Sequence, residues 1–294
     1  MTPDLSFLKA RTFLLAEHRA VQIILVGCGG TGSYVARAVA QVGRVLLERG
    51  LDVRIAFADP DVVEPKNIPR QLFADAELGE PKAVALARRY GAAWGVPIEA
   101  HHASFSEDLL AGADTLRIIV GCVDNARARK TVAEAVTSAR RRDAWMWRDR
   151  MRAPLVLWLD CGNDRQSGQV LLGTTSDAEA LARACALDGF CTESPLPTLQ
   201  APELLVPRDD ERARTKLSCA ELMALNLQAL SVNARVAAEA GDVLMRLLVT
   251  HDLRRFATYF DLPSGTSRSS YFTPETIASC APPSAKKRSP RRAA

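Results

Sequence analysis

The sequence predicts an α/β fold in which helices cover both faces of a mostly parallel sheet. The first hundred residues alternate between short apolar runs and helical periodicity: a strand over 21–26, a helix over 30–48, a strand over 51–58 and a helix over 81–93. Nearly continuous apolar runs such as VQIILV are typical of strands buried on both faces. Two such strands with a helix between them form one strand–helix–strand unit of a layered sheet.

The same alternation continues through the next hundred residues. Further elements are expected as strands over 97–105, 115–123 and 153–162, a helix over 126–141 and an antiparallel strand over 166–174. A long segment rich in Pro, Asp and Glu follows without a steady period, as functional or disordered connections often do. Beyond it, residues 219–249 predict a long helix, and "PSG" at 263–265 predicts the turn of a hairpin. The C-terminal third therefore adds a helix and a β-hairpin to the sheet.

Composition and charge exclude several classes of protein. The chain has 294 residues, of which 48% are hydrophobic, enough to bury a full core. The net charge of +4 arises from five basic residues in the final stretch "SAKKRSPRRAA"; without them, 33 basic residues face 34 acidic ones. The body thus offers no nucleic-acid footprint, and the tail predicts a disordered end that touches nucleic acid at most weakly. With no signal segment and no run of 18 apolar residues, we expect a cytoplasmic protein without membrane contact.

A glycine-rich loop marks the end of the first strand. The motif "GCGGTG" places four glycines between that strand and the following helix: Gly27, Gly29, Gly30 and Gly32. Without side chains, their backbone amides can approach phosphate oxygens at the positive end of the helix. Asp59 ends the second strand, where a carboxylate can accept hydrogen bonds from ribose hydroxyls. A nicotinamide-binding protein has the same features, so the loop predicts a nucleotide without specifying which one.

Charged residues in three later segments indicate which kind of nucleotide the loop binds. The segments are "ADPDVVEPKNIPRQLF", "GEPKA" and "GCVDNARAR". Arg70 and Lys82 can neutralise the charge that develops on an α-phosphate and on leaving pyrophosphate, which hydride transfer does not require. Asp124 can hold a magnesium ion that bridges the phosphates, although it could also cap the following helix. The sequence therefore favours ATP with Mg²⁺ over a nicotinamide cofactor.

Four blocks together resemble the ThiF/MoeB/HesA family of ubiquitin-like-protein activating enzymes. They are "GCGGTG", the pattern D-x-D-x-V-E-x-x-N-x-x-R-Q over 59–71, G-x-P-K over 79–82 and V-D-N-x-x-x-R over 123–129. The resemblance covers residues 20–173 and, more loosely, 216–249. The C-terminal stretch "TKLSCAELMALNLQALSVNARVAAEAGDVLMRLL" is similar to the ThiF-family proteins encoded in PRTRC-type cassettes of mobile elements.

The resemblance implies a ThiF-type, Rossmann-like fold, a site for ATP and a reaction. In the family, the glycines and the acid that matches Asp59 hold ATP, the latter by its ribose. Four residues match positions that line the triphosphate: Asn67, Arg70, Gln71 and Lys82. Asp124 matches the magnesium-binding acid. The implied reaction is adenylation of the C-terminal glycine carboxylate of a small ubiquitin-like or sulfur-carrier protein, with release of pyrophosphate.

The resemblance also suggests partners and a division of the chain. Homodimers are expected from the family, and a JAB-type protease is a candidate partner because PRTRC-type cassettes encode one. The segments expected are an N-terminal arm (1–20), a nucleotide-binding adenylation domain (21–173), a crossover-like loop (174–216), a C-terminal helix and hairpin completing the same domain (217–280) and a disordered basic tail (281–294).

The cysteines predict free thiols and one candidate nucleophile. Seven cysteines without a short pairing pattern favour reduced thiols. The two C-x-x-C pairs with which ThiF and MoeB relatives bind structural zinc are absent, so no structural zinc is predicted. Cys219 begins a predicted helix, where its pKa would be lowered, and is the leading candidate to form a thioester. The alternative is a buried apolar cysteine, and Cys185 or Cys191 could serve in its place.

Two other functions are compatible with parts of this pattern. A nicotinamide-dependent oxidoreductase needs only the glycines and Asp59, and leaves Arg70, Lys82 and Asp124 unexplained. A non-catalytic ThiF-fold subunit that binds a partner in a mobile-element system would retain the fold without turnover. Intact residues in every ATP-contacting block favour the enzyme.

Overall fold

The computed structural model describes residues 5–112, 114–146, 155–207 and 219–281, and gives only the backbone of 146 and 219–230. The predicted basic tail beyond residue 281 and the thiol of Cys219 lie outside what it describes. Among the described residues, no helix is long and apolar enough to cross a bilayer.

The described strands and helices follow one another in the predicted alternating order. The strands are β1 (Thr12–Phe13), β2 (Ala20–Val26), β3 (Asp52–Ala58), β4 (Ile98–His101), β5 (Leu116–Gly121), β6 (Val156–Asn163), β7 (Ser167–Gly173), β8 (Phe190–Cys191), β9 (Arg255–Asp261) and β10 (Thr266–Tyr271). The α-helices are α1 (Ser6–Lys9), α2 (Gly30–Glu48), α3 (Lys82–Trp94), α4 (Ala126–Met146), α5 (Ala178–Ala182), α6 (Pro197–Gln200), α7 (Cys219–Met245) and α8 (Pro274–Cys280). A π-helical turn, Arg246–Thr250, ends α7.

One eight-stranded sheet forms the centre of the molecule, in the order β10-β9-β7-β6-β5-β2-β3-β4. Strands β2 to β6 pair in parallel, and β7, β9 and β10 pair antiparallel. Both the α/β class and the antiparallel sixth strand are therefore confirmed. The polar loops at the carboxyl ends of β2, β3, β5 and β6 meet along one edge of the sheet, where open α/β folds bind their ligands.

Helices cover the sheet on both faces because its central strands are apolar on both sides. In β2, Ile23 and Leu25 belong to the core cluster that includes α2, α3 and α7, while Ile24 and Val26 belong to the cluster that includes α4. All four side chains are buried. This two-sided burial explains the continuous apolar run.

Several boundaries differ from the sequence prediction. The third strand is limited to β4, shorter than the predicted 97–105. Helix α3 begins at Lys82 because Pro81 has an extended ψ of 132° and acts as the N-cap. Helix α4 extends past the predicted 141 to at least Met146. The long helix gives way to the π-helical turn, which ends where His251 adopts a left-handed φ of 55°.

The segment after β7 contains short ordered elements over its described part, 174–207. Strand β8 pairs in parallel with β1 as a separate two-stranded sheet. Arg11 strengthens this pairing because its Nη1 donates to the carbonyl oxygens of Cys185 and Leu187, at 2.5 and 3.0 Å. Cys185 and Cys191 form a disulfide. The prediction that all cysteines are reduced is therefore wrong for this pair, whose closeness depends on a loop that the sequence pattern did not define.

Candidate functional site

The glycine loop follows β2 directly and is held in a conformation that side chains would prevent. Gly27 has a φ of 88°, and a Cβ there would lie 2.8 Å from the carbonyl oxygen of Cys122. At Gly32, a Cβ would overlap the carbonyl oxygen of Gly27. Gly29 caps α2, whose first residue is Gly30. The loop can therefore present backbone N–H groups to an anion at the start of a 19-residue helix.

Asp59 ties the glycine loop to the end of β3. Its Oδ2 accepts a hydrogen bond from the Cys28 N–H at 2.6 Å, and its Oδ1 accepts one from the Asp61 N–H at 2.8 Å. Burial raises the pKa of this carboxyl, and the two N–H donors oppose that shift. Because each oxygen can accept a second hydrogen bond, both remain chemically able to bind ribose hydroxyls.

Lys82 lies at the same edge of the sheet and forms an ion pair with Asp61. The sequence reasoning did not single out Asp61. The Lys82 residue is only 4% exposed, and its Nζ lies 2.9 Å from Oδ2 of Asp61, whose side chain is 65% exposed. The backbones of the two residues are also joined, since the Lys82 N–H donates to the Asp61 carbonyl. Asp61 is the second acid of the D-x-D pattern, and this position in the motif could have identified it as a site residue.

The segment after Asp61 brings three more of the predicted residues to this region. Asn67 is buried, and its Oδ1 accepts from the Glu64 N–H at 2.9 Å, which shapes the turn. Gln71 is buried too, and its Oε1 has no hydrogen-bond partner among the described residues. Its Nε2 faces Gly29, 3.8 Å from where a Cβ would stand. Arg70 lies between them, with its carbonyl oxygen bonded to Asn233 at 3.3 Å.

Asp124 lies just beyond β5, on the exposed side of the edge. The neighbouring Asn125 caps α4, because its Oδ1 accepts from the Ala128 N–H at 2.8 Å. Asn125 also donates a long hydrogen bond of 3.5 Å to Oδ1 of Asp124. A carboxylate is a suitable magnesium ligand. The described residues contain no cluster of three or more metal-binding side chains.

Asn233 on α7 was missed by the sequence reasoning and joins three parts of the site. Its Oδ1 accepts from Oγ1 of Thr31 at 3.0 Å and from Nδ2 of Asn163 at 2.6 Å. Its Nδ2 donates to the Arg70 carbonyl. A Cβ at Gly30 would lie 3.0 Å from this Nδ2, which explains a glycine there. Asn233 is one of several polar residues on α7, so the sequence has no local signal that marks it.

A polar cleft of about 220 Å³ adjoins the edge where β6, β7 and β9 lie side by side. Its lining residues are Arg129, Gly162, Asn163, Asp164, Ser167, Gly168, Gln169, Tyr259 and Phe260. The register places Gly162, Gln169 and Tyr259 in one row across the three strands. Arg268 ends this row, with its guanidinium 4.7 Å from the centre of the Tyr259 ring.

A buried ion pair supports the cleft. Arg129 Nε lies 3.2 Å from Oδ1 of Asp160, whose side chain is fully buried. Burial raises the pKa of the Asp160 carboxyl, and the Arg129 charge opposes that shift. The pair holds α4 against β6. Arg129 also lines the cleft.

The described free thiols near the glycine loop are poor nucleophiles. Cys28 and Cys161 are buried, and Cys122 is partly so. Burial raises the pKa of Cys28 and of Cys122. A raised pKa leaves little thiolate at neutral pH, so these residues pack rather than react.

The fold and this edge define an α/β protein with a glycine-rich loop between its first long strand and helix α2. Residues 10–142 match the ThiF family, and all four sequence blocks fall within that range. This part of the chain is therefore similar to the ThiF family, as the motifs predicted.

Two curated relatives match part of the chain. The adenylyltransferase and sulfurtransferase MOCS3 of Mus musculus is 34% identical over 130 residues, and that of Bos taurus is 34% identical over 128. Each match covers 42% of this chain. The matched stretch spans about a quarter of each relative's length, 25% and 26% respectively.

Solved structures share the fold over a longer range. PaaA superposes with a TM-score of 0.54 at 16% identity, and E. coli MccB with ATP superposes with a TM-score of 0.54 at 14% identity. Each superposition covers 86% of this chain and 64% of the other. The same MccB was also solved with AMPCPP and MccA, at a TM-score of 0.54. At these identities the similarity establishes the common fold.

Proposed function

We propose that this protein is an ATP-dependent adenylyltransferase that activates the C-terminal carboxylate of a small protein or peptide. The observation that carries the proposal is the buried Lys82, held by Asp61 at the edge where the glycine loop ends. A buried cation beside a phosphate-binding loop suits a triphosphate and has no role in hydride transfer. The names of the matched relatives, adenylyltransferases, point the same way.

In the reaction, a carboxylate oxygen of the substrate attacks the α-phosphorus of ATP. The bond from the α-phosphorus to the bridging oxygen of the β-phosphate breaks, and pyrophosphate leaves with the electron pair. The products are an acyl-adenylate and pyrophosphate. The negative charge that builds up on the phosphate oxygens is the main demand on the site.

The chain's own residues meet that demand in distinct ways. The glycine loop supplies N–H donors, and Asp59 orients the ribose. Lys82 and Arg70 place positive charge beside the phosphates, while Asn67 and Gln71 shape the turn that carries Arg70. A magnesium ion would be held by Asp124 and would offset phosphate charge when bound.

The substrate's C-terminal segment would enter through the polar cleft. The cleft adjoins the nucleotide edge at Asn163, and Gly162 leaves room there for a backbone. E. coli MccB, which shares the fold, was solved together with AMPCPP and MccA. A small ubiquitin-like or sulfur-carrier protein that ends in glycine is the substrate class we propose.

A direct test is mass spectrometry of candidate partners after incubation with the protein and MgATP. The expected result is a partner that gains one adenylyl group at its C-terminus, and loses this gain when its terminal glycine is deleted. Failure of every glycine-ending partner, while ATP still binds, would favour a non-catalytic binding subunit.

A thioester step is the finer part of the proposal. The thiolate of Cys219 would attack the acyl carbon, release AMP and leave the substrate bound through a thioester, with the thiol proton lost to solvent. Cys219→Ala should then leave adenylation unchanged and abolish a covalent adduct that an excess of free thiol cleaves by exchange. An adduct that persists in this variant would assign the step to another thiol.

A further inference from the structure

Asn233 lies deep in the molecule, between the nucleotide edge and the cleft. The residue is 2% exposed and comes from α7, far in sequence from every motif of the nucleotide site. Its carboxamide links α7, β6 and the start of α2 through hydrogen bonds.

The hydrogen bonds of this amide suit asparagine closely. Both lone pairs of Oδ1 are used, by Thr31 and Asn163, and Nδ2 donates to the Arg70 carbonyl. Aspartate would place an acceptor against that carbonyl, and an apolar residue would leave the buried partners without their hydrogen bonds, a cost of about 1–3 kcal/mol per group in general. The shape of the amide therefore fixes three partners at once.

Each partner belongs to a different part of the proposed site. Thr31 is in the first turn of α2, next to the phosphate loop. Arg70 carries one of the two cations expected at the phosphates. Asn163 ends β6 and lines the cleft. A displacement of any one of them must act on the other two through a single rigid group.

We propose that Asn233 is a positioning residue that couples the nucleotide loop to the substrate cleft. It contacts neither ATP nor substrate. When ATP binds and orders the glycine loop, Asn233 also orders the end of β6 through its hydrogen bonds. The cleft is then already formed when the substrate binds. This inference rests on the proposed function for the identity of the two ligands.

Hydrogen exchange with MgATP as the only ligand tests the coupling. In the wild type, we expect MgATP to slow amide exchange both at 27–32 and at 162–169. The effect at 162–169 should be about fivefold or more, the lower end of the range for coupled sites. In Asn233→Ala, protection should persist at 27–32 and disappear at 162–169. Thr31→Val removes one hydrogen bond to the same amide and should give the same result in weaker form.

Thr258→Val is the matched control. It deletes a buried hydroxyl in β9 that bonds Ser269 at 3.3 Å, outside both sites, and should retain protection in both segments. A merely structural role of Asn233 would raise the basal exchange rate without changing the ratio with and without MgATP. Retained protection at 162–169 in Asn233→Ala overturns the coupling, as does its absence in the wild type. A wild type that binds no MgATP overturns the proposed function and the coupling with it.

Discussion

The two ends of the sheet present their polar residues in different ways. In the parallel half, β2 to β6, the site residues lie on loops just beyond the strands, in short contiguous motifs. At the antiparallel end, the cleft residues lie on the strands themselves: Ser167, Gly168 and Gln169 on β7, and Tyr259 and Phe260 on β9. A loop motif can be read in sequence order, whereas a row across strands depends on register. The proposed nucleotide site can therefore be predicted from sequence motifs, whereas the proposed substrate cleft cannot.

The largest effect is expected where the two ends join, at the buried pair of Arg129 and Asp160. Arg129→Met should lower the free energy of unfolding by about 3–5 kcal/mol, because it leaves a fully buried carboxylate without its partner. Urea denaturation measures this loss. The double variant Arg129→Met/Asp160→Leu should recover most of it, since no charge then remains buried. A single variant as stable as the wild type would show that the pair does not hold α4 against β6.

The next effect tests the parallel half by removing its buried cation. Lys82→Ala should lower the rate of ATP–pyrophosphate exchange by about 10²- to 10³-fold, the usual loss when one charge-stabilising group is removed. Lys66→Ala is the matched control, because Lys66 is an exposed lysine of the same region paired with Glu64. Equal activity in both variants would remove Lys82 from the mechanism.

A smaller effect should separate the antiparallel end from the parallel half. Gln169→Ala opens the middle of the cleft row and should raise the KM for the protein substrate by about tenfold, equivalent to 1.4 kcal/mol. The KM for ATP should stay the same. Gln166→Ala, three residues away and outside the cleft lining, should change neither value. If Gln169→Ala changes only the KM for ATP, the cleft is not the substrate's entry.

The smallest effect on stability is expected at Glu77, which stabilises the segment that carries Arg70. Burial alone would raise the pKa of Glu77, but hydrogen bonds from Arg89 and from the Ala74 N–H outweigh it and hold that pKa below its ordinary value of 4.5. The carboxylate thus stabilises the fold above the unfolded-state pKa, and this contribution is lost as the pH falls through the lower folded-state pKa. Glu77→Gln should lower the free energy of unfolding by about 1 kcal/mol at pH 7, and should not change it at a pH below the folded-state pKa of Glu77. A pH-independent difference in denaturation midpoint would contradict this assignment.

Much of the fold was predictable because it follows from local periodicity. The helix over 30–48 has the expected bounds, and the apolar runs gave the central strands in the right order. The disulfide of Cys185 and Cys191 was not predicted, because the two residues lie six apart in a loop without a steady period. In the site, the role of Asp61 could have been predicted, because it is the second acid of the D-x-D pattern. The role of Asn233 could not, because its hydrogen-bond partners come from three distant segments.

ATP–pyrophosphate exchange, with and without a small protein that ends in glycine, tests the central claim most directly. If the parallel half activates a carboxylate and the cleft receives it, exchange of labelled pyrophosphate into ATP should depend on the partner and stop when its terminal glycine is deleted. The Lys82→Ala variant should give no more than about a hundredth of that rate. Exchange that is absent with every glycine-ending partner, in a protein that still binds MgATP, would contradict the claim.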